Sequence, residues 1–377
     1  MTGVEAPSTL WLCGPPGVGK SVVGWEVYSR LVSSGHPCAY VDIDQLGICF
    51  PARAADPDRH VLKADNLAAL AAGFVDFGAR GLVVSGVVDA VRGPDLDEAF
   101  TAGLSVWRLR AEPGELRRRL ALRRASPAMI EGAVVEAQKL EGTGFADVVL
   151  DTTGSSVDEI ATTVMAELGE WPRAVRRPFI DPTDPPAAVG PVLWLWGPTG
   201  VGKSTIGFRA YLDLLSAGVP AAYVDVDQIG FCSTAPLDHR LRARNLAAVW
   251  SRFMAAGARA LVAVGPVASP ADATCYTEAL PPARITWCGL AAGEEALTRR
   301  ILSRQAGGSW PQPGDPLRGR STAELRKVAA AASSEAVDGP GVVIETDHLS
   351  VADAAAAVLA RWDRGRPPRR PTGRPAR

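Results

Sequence analysis

An α/β protein built twice over is what this 377-residue sequence predicts: two tandem domains, each a parallel sheet of about five strands flanked by helices. Three observations lead there. The run Gly14-Pro15-Pro16-Gly17-Val18-Gly19-Lys20-Ser21 returns as Gly197-Pro198-Thr199-Gly200-Val201-Gly202-Lys203-Ser204, followed by Thr205. Each copy stands between a short apolar run and a helical one. The likeness also extends beyond the motif: aligned without gaps at an offset of 183, Trp11–Phe50 and Trp194–Ser233 are identical at 23 of 40 positions. Both runs fit G-x-x-x-x-G-K-[ST], the phosphate-binding P-loop, so each domain is expected to be a P-loop NTPase fold.

Strands alternating with helices imply parallel pairing. In the first unit, Leu10–Cys13 reads as a short buried strand ending at the P-loop. Ser21–Ser34 is helical and Gly35 stops it. Ala39–Ile43 is the second strand, Leu67–Phe77 a helix, Gly81–Ser85 the third strand and Leu104–Leu109 the fourth. Gly114–Arg124 is a basic helix, Val148–Asp151 the fifth strand and Val157–Leu168 the closing helix. The second unit repeats the order through Val192–Trp196, Ser204–Ala217, Ala221–Val226, Leu246–Ala255, Arg259–Val264, Arg284–Trp287, Glu294–Arg304, Val342–Glu345 and Val351–Trp362. The alignment offset ends at 194, which marks a Gly- and Pro-rich insertion, Gly307–Gly319, after the second basic helix.

The expected domains are residues 1–172 and 191–363. Between them, 173–190 reads as a stiff Pro-rich linker that few contacts cross, and 364–377 as a disordered basic tail. Net charge is −1, yet the last fourteen residues hold six Arg and no acid, leaving the body acidic. That argues against a nucleic-acid-binding body. No apolar run is long enough to span a membrane and no signal peptide is visible. The six Cys lack C-x-x-C spacing and read as reduced, partly buried thiols, so a cytoplasmic protein is expected. Five Lys stand against 35 Arg, and two of the five are the P-loop lysines.

The P-loop glycines Gly14, Gly17, Gly19, Gly197, Gly200 and Gly202 let successive backbone N–H groups turn inward toward phosphates. The following helix adds its N-terminal partial charge. Lys20 and Lys203 are placed to reach the β- and γ-phosphates of ATP, and the hydroxyls of Ser21 and Ser204 to ligate Mg²⁺. A second repeated set, Tyr40-Val41-Asp42-Ile43-Asp44-Gln45-Leu46-Gly47 and Tyr223-Val224-Asp225-Val226-Asp227-Gln228-Ile229-Gly230, ends the next strand, where ligands of open α/β sheets bind. Two-residue alternation puts both carboxylates on one side of that strand end. Such a pair can order the water around Mg²⁺ and accept a proton from an attacking hydroxyl.

P-loop, D-x-D, a glycine-bearing third strand and a basic helix together resemble the small-molecule P-loop kinases, shikimate and gluconate kinase above all, with nucleoside monophosphate kinases as relatives. The resemblance covers most of each unit and is specific at these motifs. It implies ATP and Mg²⁺ as cofactors, a small-molecule or nucleotide acceptor, and γ-phosphate transfer. It makes Asp42 and Asp225 the metal-side acids and Asp44 and Asp227 the acceptor-side ones. Arg119 and Arg123 match Arg300 and Arg304, spaced four apart on one helix face, and become lid arginines. The matched sets His60, Lys63, Asn66 and His239, Arg242, Asn245 fall where that family seats its acceptor. The third strands, ending in Ser85-Gly86 and Val264-Gly265, lack the terminal acid of many P-loop ATPases, which weighs against an AAA-type machine.

The units differ. Thr205 stands opposite Val22, Asp89 and Arg92 opposite Ala268 and Ala271, and only the second unit has the insertion, with Arg318 and Arg320 at its end. A kinase is one expectation. A nucleotide-binding regulatory module, or one active and one regulatory half, is the other.

Overall fold

The structure, a computed structural model, describes residues 4–90, 92–94, 103–172, 178–179, 190–281, 283–305, 312–334 and 339–364. Linker residues 173–177 and 180–189, insertion residues 307–311 and tail residues 365–377 lie outside them.

The strands of the first unit are β1 (Val4–Glu5), β2 (Ser8–Cys13), β3 (Cys38–Asp42), β4 (Cys49–Phe50), β5 (Gly81–Ser85), β6 (Leu104–Arg110) and β7 (Val148–Asp151). After β8 (Pro178–Phe179) come β9 (Pro191–Trp196), β10 (Ala221–Asp225), β11 (Ala260–Val264), β12 (Arg284–Ala291) and β13 (Val342–Glu345). The first sheet has the order β3-β5-β2-β6-β7, all parallel, as expected. The second repeats it as β10-β11-β9-β12-β13, also parallel. It gains a sixth strand, β4, which crosses over from the first unit and pairs antiparallel with β10. The second sheet is therefore mixed where an all-parallel one was expected.

Helices cover both faces. Lys20–Ser33, Pro127–Glu141 and Val157–Leu168 belong to the first unit, together with His60–Asp76 and Pro113–Leu122; Lys203–Ser216, His239–Ala255, Pro270–Ala279, Glu294–Gln305, Thr322–Ser334 and Val351–Arg364 belong to the second. The helices Pro127–Glu141, Pro270–Ala279 and Thr322–Ser334 go beyond the sequence reading. All three carry legible starts: Ser126, Ser269 and Ser321 cap their first turns, Pro follows the first two at once, and Glu324 completes a capping box with the third. His60–Asp76 and His239–Ala255 begin seven residues earlier than read, so the matched His and Lys/Arg stand on helix rather than loop.

The units do not sit apart. Alternation along β2 sends Leu10 and Leu12 to one face and Trp11 and Cys13 to the other. Leu10 and Leu12 pack under the first P-loop helix in a core belonging to the first unit. Trp11 faces a second core that draws on both units, in which Leu67, Leu70 and Phe74 meet Leu246, Trp250 and Phe253. The expectation of a linker crossed by few contacts is thus corrected. The His60–Asp76 helix is apolar on more than one side, and such a helix must be covered all round.

Backbone exchange reinforces that packing with a pseudo-two-fold pattern. Tyr40 N donates to Phe231 O at 3.0 Å, and Tyr223 N donates to Ile48 O at 2.9 Å. Each unit thereby covers the other's exposed sheet edge, a hazard when left open. Cys49 and Cys232 stand in these crossing segments. All six cysteines are free, five of them buried, as their spacing implied. No described helix is long and apolar enough to cross a membrane.

Candidate functional site

Both P-loops have the backbone their sequence demands. Gly14, Gly17 and Gly19 take φ of 140°, 84° and 107°; Gly197, Gly200 and Gly202 take 141°, 85° and 104°. These are left-handed values that glycine adopts without strain. Gly14 and Gly197 also lie against the next strand: a Cβ on either would sit 2.3 Å from the carbonyl oxygen of Leu109 or Leu290. Lys20 Nζ donates to Pro15 O at 3.0 Å, and Lys203 Nζ to Gly197 O and Pro198 O at 2.8 and 3.0 Å. Burial pushes the Lys20 ammonium below its ordinary value, with the acids Asp44, Glu136 and Asp42 opposing. Thr205 is exposed on the first turn of its helix.

The D-x-D acids divide rather than facing one side of a strand as two-residue alternation implied: β3 and β10 end at Asp42 and Asp225, so Asp44 and Asp227 stand in the turn that follows. Ser21 Oγ donates to Asp42 Oδ2 at 2.7 Å, and Ser204 Oγ to Asp225 Oδ2 at 2.9 Å. The other oxygen of each acid caps a short turn, accepting from Asp44 N at 3.1 Å and from Asp227 N at 3.2 Å. Burial, and then the neighbouring Asp44 or Asp227 charge, pushes Asp42 and Asp225 up to about 6. A buried carboxylate beside a serine hydroxyl, an ammonium and a ring of inward glycines fits a hard dication bridging to phosphate. Among the described residues no cluster of three or more His, Cys, Asp or Glu could hold a metal alone. A metal here would draw on phosphate oxygens as well as Ser21 and Asp42, or Ser204 and Asp225.

Asp44 and Asp227 turn the other way, onto the basic residues Lys63 and Arg242 of the following helix. Lys63 Nζ pairs with Asp44 Oδ1 at 2.9 Å and Arg242 Nη2 with Asp227 Oδ1 at 2.8 Å. The glycine closing each turn makes room for that reach: a Cβ on Gly47 would lie 2.5 Å from Lys63 Cε, and one on Gly230 2.7 Å from Arg242 Cγ. Asn66 and Asn245 are fully buried, and their amides donate to Leu46 O and Ile229 O at 2.8 and 2.7 Å. Their reading as acceptor contacts is corrected: they anchor the turn that carries the acid.

His60 lines a small cavity with Trp11, Lys63, Val88 and Asp89. The matching His239 is differently engaged. Its Nδ1 lies 2.9 Å from Tyr276 OH, and Tyr276 is fully buried against Trp194, ring centroids 4.3 Å apart. Burial pushes the His239 imidazole below its ordinary value.

Arg119 and Arg300 do not reach outward as a lid would. Arg119 donates to Val18 O inside the P-loop, to Thr152 Oγ1 and to Thr152 O; Arg300 repeats this with Val201 O, Thr346 Oγ1 and Thr346 O. The lid reading is corrected for this pair, whose guanidinium planes bolt the P-loop to the loop after the last strand. Arg123 and Arg304 stand one turn further out. Sequence reasoning passed over Tyr40 and Tyr223 as site groups. Their hydroxyls reach Ser21 O and Ser204 O, at 3.3 and 3.4 Å, and they had signalled themselves by recurring at matching positions. It also missed Glu136, whose carboxyl partial burial pushes above its ordinary value, with the Lys20 charge opposing. Glu136 has no counterpart in the repeat that could have flagged it.

Residues 11–141 match the model of a family described as an AAA domain. The match covers the first P-loop, the D-x-D turn and the basic helix, and bears out the P-loop resemblance for the first unit. The description names AAA domains, whereas the missing acid at the end of both third strands weighs against an AAA-type machine. No curated protein matches the chain. Among solved structures, an APS kinase from Mycobacterium tuberculosis is 18% identical, covering 47% of this chain and 99% of its own at a TM-score of 0.31. A gluconokinase from Sinorhizobium meliloti is 17% identical, with 47% and 94% covered and a TM-score of 0.30. A shikimate kinase from Bacteroides thetaiotaomicron is 14% identical, with 46% and 98% covered and a TM-score of 0.30.

Proposed function

We propose that this P-loop protein binds ATP with Mg²⁺ and transfers the γ-phosphate to a small-molecule or nucleotide acceptor. The observation that carries the reading is the division of labour in the D-x-D turn. One acid is hydrogen-bonded to the P-loop serine, the other is ion-paired to a basic residue on the next helix, and both units repeat the arrangement within about 0.2 Å. A pure nucleotide binder has no use for the second acid.

In this reading the P-loop amides and Lys20 hold the phosphates in place. Mg²⁺ bound beside Ser21 and Asp42 would neutralise phosphate charge. Lys63 receives an anionic or hydroxyl group of the acceptor, which frees Asp44 from its ion pair. Asp44 then takes the proton of the acceptor hydroxyl as its oxygen bonds to the γ-phosphorus and ADP leaves. Lys203, Ser204, Asp225, Asp227 and Arg242 occupy the same positions in the second unit. One observation favours a binding role for that unit: Tyr276 and His239 fill the space beside Trp194.

A thermal-shift screen of small metabolites and nucleotides, run with a non-hydrolysable ATP analogue present, finds the acceptor. ADP production should then rise only when that acceptor is added. The Asp44→Asn/Asp227→Asn double variant should keep ATP affinity within a few-fold while transfer falls by about 10²–10⁴. Transfer at the parental rate in that variant would make these aspartates structural and the binding-module reading the better one.

A further inference from the structure

The cavity beside the first site and the matching place in the second unit are furnished differently. In the first unit Trp11, His60 and Lys63 line it, and Lys63 reaches Asp44. Their counterparts in the second unit are Trp194, His239 and Arg242. There the chain's own Tyr276 takes the place between the first two. Its hydroxyl lies 2.9 Å from His239 Nδ1, its ring centroid lies 4.3 Å from that of Trp194, and the residue is fully buried. His239 stands one turn before Arg242 on the same helix, and Arg242 pairs with Asp227 at 2.8 Å. The partner of Tyr276 is therefore one helical turn from the residue that holds the second acid of the D-x-D turn.

Local sequence holds that ring in place. The helix Pro270–Ala279 begins with a reciprocal cap, Asp272 N donating to Ser269 Oγ at 3.2 Å and Ser269 N to Asp272 Oδ2 at 2.9 Å. Asp272 and Tyr276, four residues apart, share one face of it. They take His239 from two sides, with Asp272 Oδ1 standing 3.7 Å from His239 Nε2. Trp287 backs Trp194, ring centroids 5.1 Å apart. In the first unit Gly93 stands opposite Asp272, and the chain makes a tight turn there instead, Gly93 N donating to Asp89 O at 2.9 Å.

We propose that Tyr276 is a built-in occupant of the acceptor position of the second unit: it shuts out acceptor and water, so ATP bound there stays intact and transfer is confined to the first unit. That this position receives an acceptor rests on the kinase reading above. A ring packed on an apolar wall with its hydroxyl satisfied keeps water from the phosphates behind it. Removing the ring opens the site. A water oxygen then bonds to the γ-phosphorus, the bond to the β–γ bridging oxygen breaks to release ADP, and Asp227 takes the water proton.

The test uses the full chain carrying Lys20→Ala, which silences the first site. ADP formation from ATP should be close to nil, and should rise several-fold when Tyr276→Ala is added. Phenol, which can refill the vacated space, should bring the rate down again while a fluorescent ATP analogue stays bound. Tyr276→Leu keeps more of the buried volume and serves the same comparison if the alanine variant does not fold. No rise in a folded, nucleotide-binding variant, where Lys203→Ala does form ADP, overturns the proposal. So does a rise that phenol leaves untouched, which marks general loosening, and so does ADP formation in Lys20→Ala at the rate of Lys203→Ala. If Lys203→Ala forms no ADP with water or with any acceptor, the kinase reading is what fails. Phenol then still decides where Tyr276 sits: the thermal stabilisation it gives Tyr276→Ala should differ with and without the ATP analogue, because the two share one site. Equal stabilisation overturns the proposal.

Discussion

The Tyr40 amide of the first unit hydrogen-bonds to the Phe231 carbonyl of the second at 3.0 Å, and the Phe231 ring packs against Tyr40 itself, centroids 6.1 Å apart. Because Tyr223 and Ile48 repeat the backbone bond in reverse, parting the two units exposes two sheet edges and the shared core at once. Either unit expressed alone should aggregate or behave as an expanded, loosely packed species by size exclusion and near-ultraviolet circular dichroism. Co-expression of the two should restore a soluble complex. A monomeric, cooperatively unfolding single unit would show that the exchange is dispensable.

Gly73 lets the Asn245 and Arg244 side chains of one central helix lie against the backbone of the other. A Cβ on Gly73 would lie 2.1 Å from Asn245 Oδ1 and 2.6 Å from Arg244 Nη1, and Asn245 cannot retreat without releasing Ile229 O. Gly73→Ala should therefore cost about 1–3 kcal/mol in denaturant unfolding, the scale of overpacking. That loss outweighs a helix-propensity gain of about 1 kcal/mol. A variant as stable as the parent would mean that the helices can part at no cost.

Each P-loop keeps every group that phosphate binding needs, so calorimetry should find two ATP sites per chain. Lys20→Ala and Lys203→Ala should each remove one and spare the other. A single site in the parent protein, or loss of both in one variant, would contradict independent P-loops.

His239 should remain neutral at pH 7 and titrate below 6.5 in histidine NMR spectra, because burial disfavours its charged form, with Asp272 only partly opposing. The unfolded chain then binds the proton more readily than the folded one. The stability this site contributes is present above the unfolded value near 6.5 and is lost as pH falls through the depressed folded value. His239→Gln should flatten that part of the stability profile. A His239 titration above 6.5 would mean that the Tyr276 contact does not exclude water.

Much of the chemistry was legible in the chain because it is local. A glycine that must take a positive φ, a lysine one residue past the loop, and two acids two residues apart at a strand end specify their geometry over a handful of bonds. Duplication printed each of them twice. The Lys63–Asp44 and Arg242–Asp227 pairs were within reach of the sequence too, since both members had been singled out, though their pairing had not. Glu136 was not legible, being unrepeated and brought to Lys20 by a helix that the reading left out.

What the sequence determined by itself is two copies of one phosphate-binding fold, with the succession of strands and helices along the chain and the P-loop backbone following from local pattern. What only the tertiary structure decided is how the copies meet. The crossing of Cys49–Phe50 and the 231–233 segment and the burial of Asn66 and Asn245 depend on surfaces far apart in the chain. Their match arises from complementary shape and unsatisfied backbone edges, and neither has a periodicity that a linear pattern could carry.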